Sequence, residues 1–221
     1  PDSLYINESG AFAIAKTINV KNEPTGWFDF KEVMQIKLSE LDVILMRQDP
    51  PFNSNFIYNT YVLESAEREG VLVINKPASL RDCNEKVFAT EFPECCTPFL
   101  VTSDLSLLRS FIDDHQDTVI KPLDGMGGSS IFRIRSSDPN LNVILETVTE
   151  SYSTKVMIQT YIPEIVDGDK RILLINGTPM DAAVARVPAE GELRGNLAAG
   201  ASAIARSLTE KDLWICEQVG P

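Results

Sequence analysis

Histidine is almost absent from this sequence of 221 residues. The single histidine, His115, lies in the polar segment DDHQD at residues 113–117, which is typical of a solvated helix end. Catalysis by a Ser-His or Cys-His pair therefore has little support. A zinc site built from several histidines is excluded.

Cysteine is scarce and does not follow a metal-binding spacing such as C-x-x-C. Two of the four cysteines are adjacent, an awkward arrangement for a structural disulfide. We interpret all four as reduced thiols of a cytoplasmic protein, and a reactive nucleophile among them is the minor alternative. The four are Cys83, Cys95, Cys96 and Cys216.

Long hydrophobic runs and an excess of basic residues are also missing. No apolar run approaches the roughly 20 residues that a membrane-spanning helix needs, and no secretion signal is visible. The 20 Lys and Arg residues are outnumbered by 32 Asp and Glu, giving a net charge of −12. This charge argues against nonspecific binding to nucleic acid or anionic membranes. The length and the 43% hydrophobic content fit one large or two small domains.

The first half of the chain has the pattern of a parallel α/β structure. An apolar run at residues 41–46 predicts a strand buried on both faces. Asn53 or Ser54 then caps a helix that ends near Glu69, and residues 71–75 predict the next strand. Such a strand-helix-strand unit implies parallel strands with a right-handed crossover.

Two further features of this half are less regular. Residues 3–6 and 11–20 predict a hairpin, and the aromatic residues at 27–30 predict a small local core. Arg47 follows the first parallel strand at its carboxyl end, where ligands of open α/β sheets collect. It is therefore a candidate for gripping a substrate carboxylate, with a solvated loop arginine as the equal alternative.

The second half mixes antiparallel strands with helices, so we expect a domain boundary near residues 80–95. Ser79 and Asp82 approximate a capping box that opens a helix to about residue 92. Lys86 on that helix would by itself be a surface lysine. Asn176-Gly177 predicts a type I′ hairpin. Further strands are predicted at 99–102, 156–162, 171–175 and 180–186, and helices at 104–115, 142–149 and 209–219.

The most informative stretch is IKPLDGMGGSSI at residues 120–131. A β-branched run leads into Lys121, and a glycine-rich turn follows. Glycine lets backbone N–H groups converge on an anion, so a lysine beside such a turn suits the phosphates of a nucleotide. The turn matches neither the P-loop nor G-x-G-x-x-G. The alternative is a structural hairpin between strands at 119–121 and 131–134, which this stretch alone favours.

Residues 187–203 form a long stretch of small residues without clean periodicity. Loops of this length in compact domains are usually active-site lids or disordered. Arg194 and Asn196 place a cation and an amide within it, as a closing active-site loop requires. A disordered surface loop is the alternative.

Six segments, in order and together covering nearly the whole chain, resemble the glutathione synthetases of the bacterial type, in the ATP-grasp superfamily. One such motif would be weak, whereas six in the family's order and spacing are specific. The segments are LMRQDPPF (45–52), NKPASLRDCNEK (75–86), IKPLDGMGGSSIF (120–132), DGDKRILLINGTP (167–179), ARVP (185–188) and RGNLAAG (194–200).

The resemblance implies an α/β fold. A partial parallel-sheet, Rossmann-like substrate domain at residues 1–82 would precede an ATP-grasp domain of α+β type at residues 83–221. Compared with the family, a strand-helix unit is missing before Pro1. The carboxy-terminal strands that bind Mg²⁺ are expected beyond Pro221, with no metal ligand in this chain. The segment ASAIA at 201–205 replaces a glycine-rich run and would stiffen the lid. As a fragment, the chain is expected to be inactive or very weak alone.

The resemblance also implies an activity. ATP, with Mg²⁺, would drive the ligation of γ-L-glutamyl-L-cysteine to glycine, giving glutathione, ADP and phosphate through an acyl phosphate that the glycine amine attacks. The implied protein is cytoplasmic and a homo-oligomer, acts on small molecules, and contacts neither nucleic acid nor membrane. The alternatives are another ATP-grasp carboxylate–amine ligase, a nucleotide-binding remnant without activity, and an α/β domain whose glycine loop is structural.

The roles of individual residues follow from the same resemblance. Two lysines would neutralise ATP phosphates under a glycine-rich lid, and a hinge strand would read the adenine edge through its backbone. The ATP-binding residues would be Lys86, Lys121, Gly125, Met126, Gly127, Gly128, Ser129, Gln159, Tyr161, Ile162 and Asp169. The catalytic residues would be Arg171 and Arg186, and the substrate-binding residues Arg47, Arg194 and Asn196.

Overall fold

A computed structural model of the protein describes residues 3–48, 51–192 and 194–220. The chain divides into two compact units, Pro1–Asn84 and Glu85–Pro221. The first unit is α/β with a parallel strand pair, and the second combines antiparallel sheets with helices. The predicted fold class is therefore confirmed. None of the helices in the described ranges is long and apolar enough to cross a membrane.

The first unit contains a three-stranded antiparallel sheet, a parallel strand pair and two α-helices within its described residues. The core lies where helix α1 packs against both sets of strands. The elements are β1 (Leu4–Asn7), β2 (Gly10–Val20), β3 (Phe28–Lys37), β4 (Val43–Leu45), α1 (Ser54–Arg68), β5 (Leu72–Ile74) and α2 (Pro77–Asp82).

The predicted strand-helix-strand unit is confirmed, because β4 and β5 are parallel and α1 connects them. The side chain of Asn53 caps α1 by accepting a hydrogen bond from the backbone N–H of Phe56 at 3.0 Å. The expectation of burial on both faces is wrong. Ile44 packs against the core, whereas Val43 and Leu45 are exposed, because α1 covers only one face of the two-stranded pair among the described residues.

The predicted amino-terminal hairpin is confirmed as β1–β2, and β3 extends it as a third antiparallel strand that was not predicted. The aromatic cluster at its turn is real, since the Trp27 and Phe28 rings are 4.5 Å apart and those of Phe28 and Phe30 are 5.2 Å apart. It is not a core, however. Trp27 and Phe30 are more than half exposed, because the cluster lies at the far end of a long two-stranded ribbon.

The helix predicted to start at Ser79 is wrong. Helix α2 begins earlier, at Pro77, which suits the first helical position because it lacks an N–H group there. The helix ends at Asp82, where the predicted one would still be in its first turn. Two short 3₁₀ segments, Phe88–Glu91 and Pro93–Cys95, follow in place of a helix to residue 92.

The second unit is built on a four-stranded antiparallel sheet in the order β6-β9-β7-β8. A second sheet has the order β10-β13-β14, and β11 pairs with β12. The elements are β6 (Phe99–Thr102), α3 (Leu105–His115), β7 (Asp117–Pro122), β8 (Phe132–Arg135), α4 (Leu141–Val148), β9 (Val156–Thr160), β10 (Asp169–Arg171), β11 (Leu174–Ile175), β12 (Thr178–Pro179), β13 (Ala182–Val187), β14 (Ser202–Ser207) and α5 (Glu210–Val219).

The core of this unit lies between the four-stranded sheet and helices α3 and α4. Leu108 and Ile112 of α3 and Leu145 of α4 are fully buried against Ile120 of β7 and Ile158 of β9. The amphipathic pattern of residues 104–115 therefore predicted both the helix and its buried face correctly. The packed sheet fixes β7 and β9, which carry part of the site described below.

Two predictions in the second sheet need correction. The strand predicted at 171–175 is divided into β10 and β11, and the Asn176-Gly177 hairpin joins β11 to β12. Both turn residues have positive φ, as a type I′ turn requires. The segment 187–203 is irregular over most of its length, but its end belongs to β14, which pairs with β13.

All four cysteines are free thiols, as predicted. Cys83 is exposed, Cys95 and Cys96 are partly buried, and Cys216 is buried. Because Cys95 and Cys96 precede β6, they lie beside the sheet that carries the site.

Asp117, at the start of β7, is expected to stabilise the second unit in a pH-dependent way. Arg133 and Arg135 donate hydrogen bonds to its carboxylate and lower its pKa to about 2. Asp117→Asn should reduce the free energy of unfolding by about 1–2 kcal/mol at pH 7, a figure discounted for partial exposure. The folded pKa lies below the unfolded value, so this difference is complete above about pH 4 and disappears as the pH falls towards 2.

Urea denaturation of wild type and variant between pH 7 and pH 2.5 measures this effect. Asp114→Asn, at an exposed position of α3, is the matched control and should change stability by less than about 0.5 kcal/mol. A loss of stability that is the same at every pH would contradict the ion-pair explanation.

Candidate active site

A cavity of about 530 Å³ opens beside the strands β7 and β9 in the second unit. These neighbouring antiparallel strands place Val119 opposite Gln159 and Lys121 opposite Met157. The residues of the second half that line the cavity come from five regions far apart in sequence. They are Glu85, Lys86, Val119, Lys121, Ile131, Gln159, Thr160, Tyr161, Ile162, Ile165, Asp169, Arg171, Arg186, Arg194, Gly195 and Asn196.

Most of the predicted site residues are thus brought to one place. The glycine loop does not line the cavity itself but contacts the segment that does. Arg47 belongs to the first unit, and its role stays a prediction. The predicted residues that line the cavity are Lys86, Lys121, Gln159, Tyr161, Ile162, Asp169, Arg171, Arg186, Arg194 and Asn196.

Lys86 and Lys121 supply positive charge to one wall of this cavity. The side chain of Lys86 is only 11% exposed, and its ammonium donates to the backbone oxygen of Gly125 at 2.9 Å and pairs with Glu85 at 2.8 Å. The expectation of a helical surface lysine is therefore wrong, because the loop carbonyls draw the side chain inward. Burial and the neighbouring Lys86 lower the pKa of Lys121. Two cations held this close favour an anion between them.

The glycine loop has the backbone of a tight turn that is closely approached by another segment. Gly127 and Gly128 have φ angles of 66° and 79°, which residues with a Cβ rarely adopt. A Cβ on Gly128 would lie 2.6 Å from Oδ1 of Asn196 and 2.8 Å from Cδ of Arg194. The glycine is therefore needed both for the turn and for contact with residues 194–196. The flanking strands do form the hairpin β7–β8, so the hairpin and an anion-binding loop are compatible.

Asp169 and Arg186 form a bidentate ion pair across the strands β10 and β13, where they lie directly opposite each other. Nε donates to Oδ1 at 2.7 Å and Nη2 to Oδ2 at 2.8 Å. Gly195 is buried against this pair, because a Cβ there would lie 2.4 Å from Oδ2 of Asp169. The pair holds the guanidinium in one orientation beside the cavity.

Arg194 already grips a carboxylate, that of Glu192 in the same loop. Its Nε and Nη2 donate to the two oxygens of Glu192 at 3.0 and 2.6 Å, and its Nη1 donates to the backbone oxygen of Gly128 at 3.4 Å. The hydrogen bonds to Glu192 raise the pKa of Arg194. A guanidinium in this position can therefore donate two hydrogen bonds to one carboxylate while it contacts the glycine loop.

The end of β9 and the segment after it line the cavity, and two of their backbone N–H groups are already bonded within the protein. The N–H of Thr160 bonds the oxygen of Pro98, and that of Tyr161 bonds the oxygen of Asp117, at 3.0 Å each. Within the described part of the chain, the buried hydroxyl of Thr160 has no hydrogen-bond partner. A buried polar group without a partner is costly, so this hydroxyl suits a ligand that enters the cavity.

A smaller recess of about 210 Å³ continues from the same wall. Cys95 and Cys96 line it together with Lys121 and Gln159. Burial raises the pKa of Cys96; Cys95 and Glu94 raise it further, while Lys121 lowers it. Both thiols are therefore poor nucleophiles at neutral pH, which argues against a catalytic cysteine here.

Several lining residues were not singled out from the sequence. Glu85 precedes Lys86 and could have been found only by knowing that residue 86 faces the cavity. Gly195 is recognisable in hindsight from its position between Arg194 and Asn196. Thr160 gives no sequence signal, because its importance rests on a missing partner. Within the described ranges, no group of three His, Cys, Asp or Glu side chains could hold a metal ion.

Solved structures show which fold the chain has, and a family model shows its class. The fold is similar to a D-cycloserine synthetase, with a TM-score of 0.63 at 15% identity over 82% of this chain and 65% of that one. It is also similar to the D-alanyl-alanine synthetase A of Vibrio cholerae, with a TM-score of 0.55 at 12% identity over 97% of this chain and 67% of that one. The second unit matches a family model of an ATP-grasp domain, at residues 85–221. The fold and the site therefore define an ATP-grasp protein.

The family is narrower than this class. The ATP-grasp model is that of prokaryotic glutathione synthetase, and residues 1–81 match the amino-terminal domain of the same family. Glutathione synthetases of Pseudomonas putida and Vibrio cholerae are 56% and 51% identical over 99% and 100% of this chain. The chain spans 69% of the length of each. The chain belongs to the prokaryotic glutathione synthetase family, which confirms the resemblance of its six motifs.

Proposed function

We propose that the protein takes part in the ATP-dependent ligation of γ-L-glutamyl-L-cysteine to glycine, giving glutathione, ADP and phosphate. The observation that supports this most strongly is the single cavity in which two lysines lie with Arg186 and Arg194. Phosphoryl transfer from ATP to a carboxylate needs cations at both groups, and this cavity offers them within one unit. The identity to glutathione synthetases favours this acceptor over those of other ATP-grasp ligases.

The nucleotide would occupy the cavity between the lysines and the segment after β9. Lys86 and Lys121 would face its phosphates, and the loop from Gly125 to Ser129 would close over them. The backbone from Gln159 to Ile162 would read the base edge. The unpartnered hydroxyl of Thr160 supports a polar ligand at this position. When bound, ATP supplies the phosphoryl group that activates the dipeptide carboxylate.

The arginines would act on the reacting groups. Arg186, oriented by Asp169, would stabilise charge on the transferring phosphoryl group, with Arg171 beside it on the cavity wall. Arg194 and Asn196 would hold a substrate carboxylate and the acyl phosphate, and Arg47 a second substrate carboxylate. Closure of the loop at 187–201 over the site would exclude water, which hydrolyses acyl phosphates.

Mg²⁺ would accompany ATP in this reaction. Among the residues that the structure describes, no cluster of three His, Cys, Asp or Glu side chains could hold this ion. We therefore derive no step through Mg²⁺. We further propose a cytoplasmic homo-oligomer in which residues 1–82 bind substrate and residues 83–221 bind ATP. The exposed apolar side chains of the β2–β3 ribbon support self-association; they are Ile14, Ile18, Val20, Trp27, Phe30, Val33 and Met34.

Release of ADP tests the proposal. The chain is incubated with Mg²⁺, ATP, γ-glutamylcysteine and glycine, and one component is omitted at a time. Weak release that requires both the dipeptide and glycine is the expected result. Nucleotide binding without any release would instead identify a nucleotide-binding protein without ligase activity. Release without either substrate would indicate a simple ATPase.

Thiol labelling tests the position of the nucleotide independently of turnover. Because the pKa values of Cys95 and Cys96 are raised, iodoacetamide should modify them several-fold more slowly than the exposed Cys83 at pH 7.5. The rate should increase as the pH rises towards 9. ADP should slow the labelling of Cys95 and Cys96 but not that of Cys83. Peptide mass spectrometry follows each site, and equal rates with and without ADP would contradict the assignment of the recess.

A further inference from the structure

Three side chains form a stacked cluster where the segment after β9 meets the hairpin β7–β8. They are Tyr161 of that segment and Asp117 and Arg133 of the hairpin. Arg133 places its guanidinium carbon 3.6 Å from the ring centroid of Tyr161. The same guanidinium donates to both carboxylate oxygens of Asp117, at 2.7 and 2.6 Å. Asp117 in turn accepts the backbone N–H of Tyr161 at its own carbonyl, at 3.0 Å. The cluster therefore holds Tyr161 through its ring face and its backbone at once.

Tyr161 lines the large cavity, whereas Arg133 and Asp117 do not. The side chains of the latter two are 27% and 31% exposed, so they are accessible from outside the cavity. A planar guanidinium fixed by a bidentate carboxylate has little rotational freedom. Stacked on an aromatic ring, it also adds a cation–π attraction that holds the ring in one orientation.

We propose that Arg133, fixed by Asp117, is a positioning residue that sets nucleotide affinity through Tyr161. This inference rests on the proposed nucleotide site. The N–H groups of Thr160 and Tyr161 are bonded to Pro98 and Asp117, so the segment would meet a base through its remaining backbone groups. Binding costs less when the direction of those groups is fixed beforehand, since an ordered segment loses less entropy when the ligand arrives. Arg133 and Asp117 supply that order without touching the nucleotide.

Arg135 provides a matched control within the same structure. It donates to the same Asp117 carboxylate, at 3.2 and 2.9 Å, and it lies on the same strand, β8. Its side chain is 59% exposed, and the ring of Tyr161 is stacked on Arg133 instead. If the cluster acted only by stabilising the fold, the two arginines should behave alike. If it acts through Tyr161, only Arg133 should affect the nucleotide.

The experiment is calorimetric titration of the full chain with ADP, together with thermal unfolding of each variant. Arg133→Met is expected to raise the Kd for ADP about tenfold, from loss of the cation–π contact and of order in the segment. Arg135→Met should leave it within about twofold. Arg133→Lys keeps the charge but loses the planar guanidinium that donates to both oxygens of Asp117, so an intermediate Kd is expected. This variant replaces Arg133→Met in the experiment if Arg133→Met does not fold.

A double-mutant cycle separates positioning from general stability. Tyr161→Leu should weaken ADP binding, and adding Arg133→Met to it should change the Kd by less than about twofold, because the arginine then has no ring to act on. Additive changes in Kd for Arg133→Met and Tyr161→Leu would overturn this inference, as would equal changes for Arg133→Met and Arg135→Met. Either result would leave the proposed nucleotide site intact. Absence of ADP binding by the wild-type chain would overturn the nucleotide site and this inference with it.

Discussion

Arg186→Met is expected to lower kcat by about 10²- to 10³-fold while the KM for ATP stays within about threefold, as when one preorganised donor to a transition state is removed. The orientation of Arg186 explains why kcat should fall and KM should not rise. Asp169 holds the guanidinium by two hydrogen bonds of 2.7 and 2.8 Å, so the cation is ready before charge develops. In the proposed site, the nucleotide would bind mainly through other groups, Lys86 and Lys121 above all.

Two companion variants make this prediction specific. Asp169→Asn removes the charge that orients Arg186 and should lower kcat in the same direction but less. Lys170→Met removes a neighbouring cation of β10 whose ammonium is paired with Asp212, outside the cavity lining. It should leave kcat within about twofold. Steady-state ADP release, with ATP varied and the other substrates saturating, gives kcat and the KM for ATP of all three variants. A rise in KM without a fall in kcat would assign Arg186 to substrate binding instead.

The parts of the fold that depend on local chemistry could be predicted from the sequence. The caps of α1, α3 and α5 are Asn53, Asp104 and Thr209, and each bonds a backbone N–H two or three residues later. The Asn176-Gly177 turn is equally local. Each of these features is decided by residues within one turn of the chain, so a sequence pattern is enough.

The capping box at Ser79 is a local signal that failed, because Pro77 begins the helix earlier. The other parts that failed depend on partners distant in sequence. Lys86 resembles a surface lysine until the carbonyl of Gly125, on the glycine loop, is placed beside it. The small residues of β14 have little strand preference of their own, and pairing with β13 decides their conformation. The contact of Arg133 with Tyr161 joins strand β8 to the segment after β9. No periodicity in one segment encodes such a pair.

The candidate site lies between these two cases. Family motifs identified ten residues that the structure places around one cavity, because the motifs describe segments rather than contacts. They could not identify the Arg194–Glu192 pair or the close approach of residues 194–196 to Gly128. Those contacts determine how the glycine loop and the long loop meet, and they come from tertiary packing alone.

Lys121→Met is expected to have opposite effects on stability and on function. Burial and the nearby Lys86 lower the pKa of Lys121, which means that its charge is unfavourable in the folded protein without a ligand. Methionine keeps most of the volume and removes the charge. The variant should therefore gain about 1 kcal/mol in free energy of unfolding, while its affinity for ADP should fall about 10- to 100-fold through loss of a charge-assisted hydrogen bond to phosphate.

The stability gain of Lys121→Met should depend on pH. A lysine with a lowered folded pKa binds fewer protons in the folded than in the unfolded state, so wild-type stability rises with pH between the two values. The gain from Lys121→Met should thus be complete at neutral pH and disappear above the unfolded value, near 10.4. Lys155→Met, at an exposed lysine before β9, is the control and should change neither property. A variant that is less stable and still binds ADP as tightly as wild type would show that Lys121 is structural.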